Sequence, residues 1–131
     1  MDDQPLVDLP QSFRDEHKQL RNNGINSWGE LKRLDDQDIS RMVRQGRSSV
    51  RNFKRLRGIA TLVCDLNLAP QDAALLMHAG IASVSALATS TPERLVRQTG
   101  RLERALGSGR RAVVDLKVAQ TWIQHARRTM N

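Results

Sequence analysis

The segment Leu20-Arg21-Asn22-Asn23-Gly24-Ile25-Asn26-Ser27 returns 56 residues later as Leu76-Met77-His78-Ala79-Gly80-Ile81-Ala82-Ser83, and Leu31 and Leu87 keep the same spacing. A duplication of this kind limits the fold, because both copies must build the same local structure. After each copy comes a short helix-like segment. A glycine turn crowded with arginine and serine follows, and then a long amphipathic stretch. A duplicated helical unit that ends in a basic turn points to a binding module rather than to an enzyme.

The first copy reads as helices joined by capping residues. Phe13, His17 and Leu20 share one face of a helix that opens at Pro10, and Asn23-Gly24 ends it, since glycine takes the left-handed C-cap geometry cheaply. Ser27 with Glu30 three residues on forms a capping box for a short helix carrying Trp28, Leu31 and Leu34. Asp35 or Asp36 caps a third helix with Ile39, Met42 and Val43, and Asp38 suits its positive end. Ser48 or Ser49 caps a long helix to about Leu66, with Val50, Phe53, Leu56, Ile59, Ala60 and Val63 inward.

The second copy follows the same plan. Pro70 fits the first helical position, and Ala73, Leu76 and Met77 form a buried face. Gly80 ends that helix, Ser83 caps the next, and Thr91-Pro92 starts a third with Leu95 and Val96 inward. A last helix carries Val113, Leu116, Ala119, Trp122 and Ile123, with Val113-Val114 inside its period. About four extra residues in the second copy would pair Leu56 with Leu116; aligning the turn glycines shifts the register by three more. Residues 1–8 read as an acidic arm, 9–66 as a first unit and 67–131 as a second, with no linker composition between the units.

The residues Leu20, Ile25, Leu31 and Ile39 with the turn Gly46-Arg47-Ser48-Ser49-Val50 resemble the C-terminal domain of the bacterial RNA polymerase alpha subunit and its helix-hairpin-helix relatives. The stretch Leu106-Gly107-Ser108-Gly109 with Ala112 is closer still to the hairpin signature. Cyanobacterial proteins of unknown function built from such repeats look similar over nearly the full length. The resemblance implies an all-α fold of two pseudo-repeated helix-hairpin-helix-like (SAM-like) units in one compact body. The earlier hairpin of that family normally carries glycines. Here Asn67-Leu68-Ala69-Pro70-Gln71 and Leu9-Pro10-Gln11 have none.

The net charge of +7 favours polyanionic partners. Aromatic residues are only 3% of the chain, which speaks against a broad platform for stacking bases. Arg41, Arg44, Arg47, Arg51, Lys54, Arg55 and Arg57 follow one another with no acid between them. The amides that open the helix after Gly46 form a ready phosphate site, which Ser48 or Ser49 would cap or extend. The expected contacts to DNA or RNA are therefore Arg44, Gly46, Arg47, Ser48, Ser49, Arg51 and Arg55 in the first turn, and Gly107, Gly109, Arg110 and Arg111 in the second. These contacts would hold phosphates without reading sequence. An alternative is a protein-interaction adaptor that keeps the fold without the nucleic-acid grip.

Catalysis finds little support. His17, His78 and His125 stand on separate helices without a partner at metal-ligand spacing, and Asp35, Asp36 and Asp38 cluster as helix-start residues. No catalytic residue, metal or cofactor is expected. Cys64 sits among Leu62, Val63 and Leu66 as a buried thiol. No stretch reaches the length of a membrane span, and Met1-Asp2-Asp3-Gln4 lacks the order of a signal peptide, so a cytoplasmic protein is expected.

Overall fold

The two Leu…Gly-Ile…Ser segments fold alike, bond for bond. A computed structural model describes residues 4–7, 9–105 and 114–130, side chains excepted at 103–105. In it the Ile25 amide donates to the Leu20 carbonyl at 2.9 Å, and the Ile81 amide to the Leu76 carbonyl at 2.8 Å. The reversal needs positive φ at Gly24 (75°) and Gly80 (95°), where a side chain would be strained. The Ser27 hydroxyl then accepts from the Glu30 amide, as the Ser83 hydroxyl accepts from the Ala86 amide.

The helices follow from these caps. α1 (Arg14–Asn22) and α5 (Pro70–His78) precede the glycines, and α2 (Trp28–Lys32) and α6 (Val84–Ala88) follow them. α3 (Asp36–Arg44) and α7 (Pro92–Ala105) come next, and the long helices α4 (Val50–Leu66) and α8 (Leu116–Met130) close each half. Asp35 caps α3 through a capping box with Asp38, and the Thr91 hydroxyl accepts from the Arg94 amide at 3.2 Å. Among the described residues the protein is all-α, with these eight helices, a 3-10 turn at Gln11–Phe13 and no strand beyond a single bridge between Pro5 and Ser27.

Four expectations need correction. The chain after Pro10 makes the 3-10 turn first, and the α-helix starts at Arg14. Val50 is 39% exposed and Leu116 49% exposed, because both open their helices and project ahead of the core. α8 starts only after Asp115, whose carboxylate accepts from the Val118 amide at 2.8 Å, so Val114 is buried outside any helix. Val113 lies outside the described residues. Cys64 is half-buried rather than buried.

The register of the long helices is settled by burial. Leu56, Ala60 and Val63 are buried on α4, and Ala119, Ile123 and Ala126 on α8, each pair 63 residues apart. That is the spacing of the turn glycines Gly46 and Gly109. Pairing Leu56 with Leu116 fails, since one is in the core and the other in solvent.

α4 joins the halves. It packs on α2 and α3 of its own half and on α5, α6 and α8 of the other. A Cβ on Gly58 would lie 2.9 Å from the Ala82 Cβ and 3.1 Å from its carbonyl oxygen, so glycine permits this approach. Phe13, buried, stacks on His78 with ring centroids 6.0 Å apart. The segment Gln4–Val7 lies across the first glycine turn: the Leu6 amide donates to the Asn26 carbonyl at 2.8 Å, and the Trp28 amide to the Gln4 carbonyl at 3.0 Å.

Candidate nucleic-acid interface

The turn between α3 and α4 is held from below by α1. The Ser49 hydroxyl caps α4 by accepting from the Asn52 amide at 3.1 Å. The Glu16 carboxylate, only 2% exposed, accepts from the Ser49 amide at 3.0 Å and from the Asn52 side-chain amide at 3.3 Å. Gln19, also buried, donates through its side-chain amide to the Met42 carbonyl and accepts from the Ser48 hydroxyl. A Cβ on Gly46 would press on the Gln19 amide at 3.2 Å, so the glycine lets the turn settle onto that side chain.

This latch alters the phosphate site drawn from sequence. A carboxylate already sits at the positive end of α4, where an external anion was expected. Ser48 is buried and turned toward Gln19, and Ser49 is engaged as the cap. Neither Glu16 nor Gln19 was among the sequence candidates. One signal was present: Phe13, Glu16 and Leu20 fall on one helical stripe, and an acid in an apolar stripe points to a buried partner.

The basic residues divide into committed and open groups. Arg57 donates to the Leu34 carbonyl at 3.0 Å and pairs with Asp36 at 3.0 Å. Arg41 pairs with Asp38 at 3.2 Å, and Arg55 is half-buried. Arg44, Arg47, Arg51 and Lys54 are exposed. Asp15, Lys18 and Asn22 of α1 face Gln45, Gly46 and Arg47 of the turn across a recess of about 290 Å³. Lys18 and Arg47 therefore line one groove, and Asp15 is the acid within it. Gly107, Gly109, Arg110 and Arg111 lie outside the described residues. Before them, Arg94, Arg97 and Arg101 are exposed along α7.

The shifted titrations lie away from this groove. Burial, and then the charge of Arg21, lower the His17 pKa, against a raising hydrogen bond with the Leu6 backbone. Burial, and then Arg55, lower that of His78, and burial raises that of Asp72. Among the described residues no group of three or more His, Cys, Asp or Glu is arranged to hold a metal ion, and no helix is long and apolar enough to cross a membrane.

The geometry defines a class: an all-α protein of two helical halves with matching caps, joined through α4, with a basic turn latched to α1. The chain matches the family described as Domain of unknown function (DUF4332) over residues 10–129, and it belongs to that family. No curated protein and no solved structure matches it.

Proposed function

We propose that this protein is a non-enzymatic, cytoplasmic nucleic-acid-binding protein that contacts phosphates of DNA or RNA through side chains around the first basic turn. The observation that carries this reading is the groove with Lys18 on one wall and Arg47 on the other, flanked by exposed Arg44, Arg51 and Lys54. Glu16 strengthens it indirectly. Its charge is turned inward, so it does not offset the arginines at the surface. The grip comes from guanidinium and ammonium groups, not from helix amides. The helix-hairpin-helix resemblance supports the same reading, and the second turn, Gly107 to Arg111, is its counterpart.

The test is fluorescence anisotropy with duplex DNA, single-stranded DNA and RNA, titrated with salt. Binding should fall steeply with salt. Replacing Arg47 and Arg51 with Gln should reduce the log–log slope on duplex DNA by about 1.8, at about 0.9 per phosphate neutralised. No binding to any of the three at low salt sinks the reading.

One observation favours a protein-interaction adaptor instead: Glu16 occupies the amide of Ser49 that a phosphate would use. A single stoichiometric protein partner recovered after nuclease treatment would support that second reading.

A further inference from the structure

α4 and α8 are equivalent helices with different outer strips. On α4, Leu62 and Leu66 are buried and Gly58 meets Ala82 of the second half. At the matching positions, 63 residues on, α8 carries His125, Thr129 and Thr121, with Arg128 in place of Asp65. Thr121, Arg128 and Thr129 are exposed and His125 is half-buried. These four residues line a shallow recess of about 420 Å³.

The chemistry of the strip is one-sided. α8 has Lys117, Arg127 and Arg128 but no Asp or Glu from Leu116 to Met130. Arg127 is committed to the Ala88 carbonyl at 3.0 Å. The hydroxyls of Thr121 and Thr129 donate to the carbonyls of Lys117 and His125 in their own helix. The Lys117 ammonium, the Arg128 guanidinium and the His125 ring remain to face a ligand.

We propose that this outer strip of α8 is a second contact for the phosphate backbone of nucleic acid. The inference rests on the nucleic-acid reading above and extends it to residues outside the two basic turns. Another helical half would find no apolar seat here, since the counterparts of Leu62 and Leu66 are polar. An acid-free strip with two open cations suits a polyanion.

The experiment compares the full-length protein with K117Q/R128Q and with R94Q/R97Q on α7, which makes the same change in charge. All substituted side chains are exposed, and thermal melts verify folding. On duplex DNA, K117Q/R128Q should lower the salt slope by about 1.8, and R94Q/R97Q should leave it nearly unchanged. Equal losses in both variants would mean that only total charge counts, and would overturn the inference while the nucleic-acid reading stands. A wild-type protein that binds no nucleic acid overturns both. Sedimentation covers the remaining occupant. If K117Q/R128Q abolishes self-association and leaves duplex binding intact, the strip docks a second copy, and the inference is overturned.

Discussion

α1 and α5 are the same helix in two halves, yet they hold the chain that follows by different means. Glu16 and Gln19 of α1 correspond to Asp72 and Leu75 of α5, 56 residues on. Glu16 is buried with two hydrogen bonds to the start of α4, and Gln19 ties Met42 to Ser48. Asp72 is one methylene shorter, and burial alone raises its pKa. A buried carboxylate is stabilising only where donors meet it. The first half has a built polar latch, and the second keeps an acid at the same position without that return.

The largest effect should come from breaking the latch. Glu16→Ala leaves the Ser49 and Asn52 amides without their acceptor and should cost about 3 kcal/mol, at 1–3 kcal/mol per buried group left unpaired. Asp72→Asn should do the opposite. Because the folded pKa of Asp72 is raised, its cost is absent below the unfolded value of 3.8 and grows as pH rises through the folded one. At neutral pH the Asn variant should be slightly more stable. Urea unfolding of both variants checks this. A Glu16→Ala protein as stable as wild type would remove the latch from the account.

Exchanging residues between α4 and α8 sharpens the comparison from the other side. Gly58→Thr installs the residue that α8 has at its matching position. The added Cβ would stand 2.9 Å from the Ala82 Cβ, so the helix and the α5–α6 turn must separate. Overpacking of this kind costs about 1–3 kcal/mol. Thr121→Gly places the glycine where no second half approaches and should cost only about 0.5 kcal/mol through helix propensity. Equal losses in thermal melts would show that Gly58 carries no packing role.

Local chemistry was legible in the sequence, and tertiary partnership was not. Ser27, Asp35, Ser49, Ser83 and Thr91 cap as their side chains and positions demand, and Gly24 and Gly80 reverse the chain as glycines. Each of those events is settled within a few residues. The latch joins Glu16 to Ser49 and Gln19 to Ser48, partners that no spacing rule brings together. Arg57 illustrates the same limit. In sequence it extends a basic run, but the fold turns it to the Leu34 carbonyl and Asp36. Arg44, Arg47 and Arg51 stay exposed as expected, while Ser48 does not. The register of α8 was open because apolar residues at 116, 119, 122 and 123 fit two alignments, and only burial chooses between them.

The smallest effect lies at the contact between the halves. His78 matches Asn22 of the first half, and its ring covers Phe13. Burial and Arg55 lower its pKa below 6.5, so the fold favours the neutral ring. The unfolded chain takes up a proton near 6.5, and the folded one only at lower pH. The stability from this site is therefore complete above about 6.5 and is lost as pH falls toward the folded value. His17, also lowered, acts in the same direction. His78→Asn, made in the Asp72→Asn background to remove the titration of opposite sign, should flatten part of the fall in urea midpoint between pH 7.5 and 5.5. The part that remains belongs to His17. If the pH profile is unchanged by His78→Asn, the stack on Phe13 does not discriminate between the protonation states of the ring, and the pH sensitivity of the fold resides in α1 alone.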